Sequence, residues 1–401
     1  MAETTELIVG SQPWTLKVPA EHAVMLQRAE FASPTSSPQQ LVHDALDKPF
    51  HFEPLRRALT PDDRITVVID PQLPHLAEML AEILRHLGTA NISPAAITIL
   101  SPPGASGTWI DELSDEFAEV TAETHDPTDA KKLAYLATTK GGRRIYLNRS
   151  LVEADFVILL TGRRFDPYSG YAGAENAIFP ALSNEETRTA FAGEFSTASP
   201  KATEGEASEI AWLLGTPFLV QVIEGEGDSI QEVVAGLLDS SPEGVRRQDA
   251  RWRGTISREP DTVIAAVSGE PAGVSFLDLA KALATAARVV KKGGRIALLT
   301  TAAPDLGPGA EMLRTLDEPS EAKKLLAHEK PDDWAAAALW ALSAKRASLF
   351  LASGYPDEVA EELFATPIQH ASEVQRLIDG SESVLLIPDA HKTTVTGERL
   401  A

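Results

Sequence analysis

Short apolar runs alternating with amphipathic stretches set the pattern of this chain. Ile65-Thr66-Val67-Val68-Ile69 is a β-branched run of the kind that forms a strand buried on both faces. It leads through Asp70 into Leu76, Met79, Leu80, Ile83, Leu84 and Leu87, whose helical spacing predicts a core-facing helix with Gly88 as its stop. Further runs at 97–100, 145–147, 156–160 and 218–223 predict strands, so the first part of the chain reads as β-α-β units of a mostly parallel sheet. The polar stretch 246–261 reads as a linker. Beyond it the alternation restarts, with strands at 263–267, 296–299, 348–351 and 384–387 and helices at 275–290, closed by Gly293-Gly294, and 334–342. The polar segment 196–209 reads as an exposed loop or helix entry.

The expected fold class is therefore α/β with two domains, each a mostly parallel sheet flanked by helices. Residues 1–258 form the first, residues 259–388 a smaller second, and 389–401 a tail returning toward the first.

Composition narrows the function classes. The chain has 401 residues, with 36 basic against 58 acidic side chains, a formal charge of -22 that repels nucleic acid and anionic membrane. It has no cysteine, which excludes thiolate metal sites and a Cys nucleophile. The start lacks a basic segment followed by an apolar one, and no long apolar span occurs, so a cytoplasmic location is expected.

The candidate chemistry gathers where strands end, because ligands of open α/β sheets bind beyond the carboxyl ends of the strands. One strand ends in Asp70-Pro71, another opens into the loop 101–107, and a third opens into the Gly- and Tyr-rich loop 162–180. In that loop Gly162, Gly170 and Gly173 permit close backbone approach, and Arg163 and Arg164 suit a carboxylate or phosphate; solvated surface arginines are the competing reading. Asp70 suits a base or ligand-orienting role, or equally a turn cap before Pro71. His125-Asp126-Pro127 reads foremost as a turn with a surface imidazole. Lys281 lies off the apolar stripe of its helix, on a solvated face, and Trp334 at a helix start reads as a packing residue or a cleft aromatic. No HxH, HxxxH or HExxH pair suggests a metal site.

Taken in chain order these features resemble the lactate racemase family, the LarA-like nickel-pincer-nucleotide racemases and epimerases of 2-hydroxy acids. The resemblance runs through Leu7-Ile8-Val9-Gly10, Ala45-Leu46 with Pro49, Asp70, His125-Asp126, Asn148-Arg149, Glu153-Ala154-Asp155, Gly170-Tyr171-Ala172-Gly173 and Ala177-Ile178-Phe179-Pro180. In the second domain it takes in Lys281, the stretch 289–294 and Trp334. It implies a site in an interdomain cleft, with Lys281 and Trp334 facing it beside Asp70, Arg163 and Tyr171.

The departures concern the chemistry itself. The motif arginine falls on Leu73 and the loop histidine on Ala105, within Pro103-Gly104-Ala105-Ser106. A second histidine falls on Asp166, the lysine that carries the cofactor on Asn176, and the nickel-ligating histidine on Ala192. The resemblance thus implies an isomerase fold whose catalytic positions are substituted, with no bound cofactor and no metal expected. The first function expected is binding of a small hydroxy-acid-type anion by Arg163, Arg164, Gly170, Tyr171, Gly173, Asn176 and Trp334. Asp70, Asp166 and Lys281 are then the candidate catalytic or hydroxyl-positioning groups. The alternatives are a non-catalytic regulatory or scaffold paralogue, and an active racemase with altered cofactor attachment.

Overall fold

The computed structural model describes residues 2–30, 34–105, 107–167, 170–195 and 200–397, without the side chains of 2–4, 108, 192–195 and 200–204. These residues divide into two compact units, one of Ala32–Gly225 with Ser229–Gln248, the other of Met1–Phe31 with Glu226–Asp228 and Asp249–Ala401. The sequence pattern alone groups the start of the chain with the first domain. Instead the hairpin Ala2–Val9/Gln12–Pro19 packs its Leu7, Val9, Leu16 and Val18 into the core of the unit built on the later strands.

The unit holding Ala32–Gly225 is built on a six-stranded sheet in the order Ile230–Gly236, Phe218–Glu224, Phe156–Gly162, Ile65–Ile69, Ile97–Ser101 and Thr121–Thr124. All neighbours are parallel except Ile230–Gly236, which runs antiparallel to Phe218–Glu224. The strand pattern follows from burial on both faces. Val67 and Ile69 join one apolar cluster with Ile158, Leu160 and Val220, whereas Val68 joins another with Leu159, Leu100 and Leu219. Each such side chain is worth about 1.5–3 kcal/mol on burial.

Helix Leu76–Thr89 covers the first face as its periodicity predicts, but it runs through Gly88. The run 145–147 is a strand outside this sheet, forming an antiparallel pair of its own, Leu133–Thr138 with Arg144–Asn148. Of the polar segment 196–209, the part from Pro200 onward is helical (Pro200–Leu213), so the helix-entry reading applies there.

In the second unit six parallel strands run in the order Ala365–Pro367, Ser348–Ala352, Arg295–Leu299, Thr262–Ala266, Val384–Ile387 and Ala23–Val24. Helix Phe276–Val289 starts on a capping box in which Ser275 Oγ accepts from Asp278 N at 3.2 Å and Asp278 Oδ2 accepts from Ser275 N at 2.9 Å. The stretch 246–261 does contain a boundary between the units, at Gln248 and Asp249, but as regular structure and not as a loose linker. It continues the helix Ser241–Trp252 and then forms the strand Arg253–Ile256, which pairs in parallel with Thr394–Gly397. That pairing holds the described part of the chain's end within this second unit.

Candidate functional site

The loop after Phe156–Gly162 folds back as a small hairpin, Arg164–Asp166 against Gly170–Ala172, and then turns at Gly173 into the short helix Ala174–Ala177. Gly173 sits at φ +81, and a Cβ there would lie 2.2 Å from the Gly162 carbonyl oxygen, so only glycine fits this close approach. The turn is pinned further by Ala174 N donating to Thr161 Oγ1 at 2.8 Å.

Sheet order makes Ile65–Ile69 and Phe156–Gly162 neighbours, and their ends do converge. Asp70 Oδ2 accepts from Gly162 N at 3.2 Å and from Arg164 Nη1 at 2.8 Å, while Asp70 Oδ1 caps the turn by accepting from Gln72 N at 3.0 Å. Both readings of Asp70, turn cap and partner of the loop, therefore hold at once. Arg164 Nε donates to Glu224 Oε1 at 2.6 Å and Nη2 to the Gln72 carbonyl at 3.3 Å. One guanidinium thus ties together the ends of three adjacent parallel strands.

Neither arginine is a solvated surface residue, since Arg163 is 2% and Arg164 9% exposed. Arg163 Nη1 donates to the carbonyls of Ala172 and Gly173 at 3.3 and 3.2 Å, and its Nη2 bonds Ser241 Oγ at 2.5 Å. Ser241 Oγ in turn lies 3.0 Å from the carboxylate of the buried Glu175. Sequence reasoning missed Glu224, Glu175 and Ser241. Glu224 carried a usable signal, a single carboxylate directly after a buried apolar strand, as at Asp70; Glu175 and Ser241 carried none.

The remaining predicted residues fall as follows. Tyr171 and Phe165 stack edge to face across the hairpin with ring centroids 6.0 Å apart, and Asp166 stands opposite Gly170. Asn176 Nδ2 donates to the Tyr171 carbonyl at 2.6 Å. The loop beyond Ile97–Ser101 turns on itself through Ala105 N and the Pro102 carbonyl, while Ser106, Tyr168 and Ser169 lie outside the described residues, as does the side chain of Ala192.

His125 is buried, not on the surface. Its Nε2 lies 2.9 Å from the Ser183 carbonyl and its Nδ1 3.4 Å from Asn148 Nδ2, which also donates to Glu123 at 2.9 Å. A neutral imidazole with its proton on Nε2 satisfies both contacts, and burial holds its pKa below the ordinary value despite the Ser183 carbonyl. Asp126 does form the expected turn, accepting from Thr128 N and Oγ1 at 2.9 and 2.7 Å. Lys281 and Trp334 belong to the second unit. Lys281 is buried within its helix, not on a solvated face, and Trp334 is likewise buried at the start of Trp334–Arg346.

The donor set at this loop does not suit a pincer-bound nickel. At the position where the resemblance puts the cofactor-bearing lysine, Asn176 offers an amide already bonded to a carbonyl, and in the neighbouring loop Ala105 offers a methyl group where the resemblance puts a proton-transferring histidine. Among the described residues no grouping of three or more His, Asp or Glu side chains could hold a metal ion.

An open, mostly parallel α/β sheet with a Gly-rich loop folded over the ends of its central strands defines the class. Residues 9–205 match the lactate racemase N-terminal domain family. The chain is 21% identical to a lactate racemase of Thermoanaerobacterium thermosaccharolyticum over 96% of its own length and 97% of that protein's. Its fold matches the lactate racemase apoprotein structure from that organism with a TM-score of 0.80 at 18% identity, covering 98% of this chain and all of that one. A Thermotoga maritima protein of solved structure follows with a TM-score of 0.69 at 14% identity, covering 92% of this chain and 100% of that one. The match over residues 9–205, the full-length relative and the shared fold together support a place in the lactate racemase (LarA-like) family. No helix among the described residues is long and apolar enough to cross a membrane.

Proposed function

We propose that this chain is a member of the lactate racemase family that keeps the fold without the nickel-pincer racemisation chemistry, and that it acts as a non-catalytic regulatory or scaffold paralogue. The observation that carries this reading is that the loop's best-placed polar groups are already engaged by the protein itself. Asn176 spends its amide on the Tyr171 carbonyl at 2.6 Å. The Arg164 guanidinium, the cation best placed at the strand ends, already faces two carboxylates, Asp70 and Glu224, at 2.8 and 2.6 Å. An incoming carboxylate would meet a group whose countercharge exceeds its own, which disfavours anion capture there.

The second reading is a binder of a small hydroxy-acid-type anion. It is supported by family membership and by the half-buried Asp166, Tyr171 and Asn176, which offer hydroxyl-pairing groups on the same hairpin and the turn after it. Residual racemisation with a differently attached cofactor ranks third, because anchor and ligand positions are substituted together.

Three measurements separate these readings. Intact-mass and metal analysis of protein produced alongside the enzymes that make the pincer nucleotide should give the unmodified mass and no stoichiometric nickel. Lactate and related hydroxy acids should leave the thermal transition unmoved if the chain is a scaffold and raise it if the chain is a binder. Covalent adduct with about one nickel per chain, as a covalent site with full occupancy requires, would overturn the loss of chemistry.

A further inference from the structure

The charge of this chain is not evenly spread. Residues 87–130 contain eight acidic side chains and no Lys or Arg, and residues 130–152 contain six basic side chains and no acidic one. The basic block folds into the two-stranded sheet Leu133–Thr138/Arg144–Asn148. One face of that sheet is core, with Ile145 and Leu147 fully buried. The other carries Tyr135 directly opposite Tyr146, with ring centroids 5.7 Å apart and 52% and 36% of their surfaces exposed. Arg144 shares this face, and Lys131, Lys132 and Lys140 are exposed at its two ends.

Nearby acids account for only part of this charge. Arg143 pairs with Glu206 at 3.4 Å, Arg149 pairs with Glu153 at 3.0 Å, and Asp126 feels Lys132. Arg149 also donates to the carbonyls of Lys131 and Leu133 at 2.8 and 2.9 Å, occupying the first acceptors along the start of the strand Leu133–Thr138.

We infer that this tyrosine-bearing basic face docks a short acidic segment of another protein, one whose carboxylates alternate with apolar side chains. The paired rings supply rigid amphipathic contact area with little entropy to lose, and the surrounding ammonium and guanidinium groups match carboxylates on either side. Charge complementarity also selects the length of the occupant. Outside the block the chain carries 30 basic against 58 acidic side chains, so a long polyanion such as nucleic acid would run off the patch onto repelling surface. A segment of about eight residues, at about 3.3 Å per residue, spans the six-residue strand Leu133–Thr138 and reaches the lysines at its ends.

The test uses the full-length protein and a fluorescein-labelled octapeptide of alternating Glu and Leu, followed by anisotropy. Binding at about 50 mM salt should weaken about tenfold at about 500 mM, as expected for exposed ion pairs. Lys131→Glu/Lys140→Glu/Arg144→Glu should weaken it by at least about tenfold, and Tyr135→Ser/Tyr146→Ser by about fivefold, with circular dichroism and thermal transition unchanged. If either combined variant misfolds, the single substitutions Arg144→Glu and Tyr135→Ser give the same ordering. Absence of peptide binding, or binding indifferent to these substitutions, overturns the inference. So does tighter, tyrosine-dependent binding of an oligothymidylate, which would make the face a nucleic-acid site, or salt-sensitive self-association abolished by the charge variant, which would make the occupant a second copy.

Discussion

At the scale of single residues, the arginines after the third strand show how burial changes the meaning of a side chain. Arg164 is held by Asp70 and Glu224, both largely withdrawn from water, so removing the guanidinium strands two carboxylates together. Arg164→Ala is therefore expected to destabilise the protein by about 3–5 kcal/mol, whereas the loss of an exposed arginine costs about 0–1 kcal/mol. Chemical denaturation of the two proteins distinguishes these outcomes, and a midpoint shift typical of a surface residue would show that the ion cluster carries no stability. The histidines give a pH dependence of known sign. His125 and His86 are both held below their ordinary value of 6.5, in each case chiefly by burial. The unfolded chain then binds protons that the folded chain refuses, so this contribution is complete above about pH 6.5 and is lost as the pH falls below it. Denaturation midpoints measured between pH 7 and 5 should fall, and the His86→Gln/His125→Gln variant should fall less. Identical pH slopes would disprove the assignment.

At the scale of elements, local pattern and turn chemistry explain most of what formed. The strands at 65–69, 97–101, 156–162 and 218–224 and the helix Leu76–Thr89 arose where β-branched runs and helical periodicity placed them. Sequence pattern and structure part where a pattern has two solutions. Residues 246–256 are polar enough to read as a linker, yet Gln248 and Trp252 of their helix are buried, and the strand Arg253–Ile256 pairs with Thr394–Gly397, a partner far along the chain. The run 145–147 is a strand as read, but it pairs with its own hairpin neighbour instead of entering the sheet. The turn that shapes the candidate site rests on one glycine. At φ +81 and 2.2 Å from the Gly162 carbonyl oxygen, the Cβ of Gly173→Ala should cost at least about 2 kcal/mol and loosen the hairpin above it. Amide exchange would register this as lost protection at Gly162 and Ala174, and unchanged protection there would refute it.

At the scale of the whole molecule, a formal charge of -22 favours expansion of the chain through self-repulsion. Raising the ionic strength shortens the Debye length from about 30 Å at 0.01 M to about 8 Å at 0.15 M, so the thermal transition should rise over that range. A transition that falls instead would mean that the ion pairs outweigh the net charge. The sequence by itself determined the α/β class and the restart of the pattern that gives a second sheet, because buried parallel strands and their helices write periodicities that need no partner to be read; its motifs carried the resemblance to the lactate racemase family. It also determined that Asn176 stands where the family resemblance places the cofactor-bearing lysine, and Ala105 where it places a loop histidine. Only tertiary structure decided that the first strands join the later unit, that Arg163, Arg164, His125 and Lys281 are buried, and that Glu224, Glu175 and Ser241 complete the loop. The physical reason is that a polar side chain has the same local signature whether water or a distant carboxylate satisfies it. Which of the two it meets depends on contacts between residues such as Arg164 and Asp70, 94 positions apart in the chain.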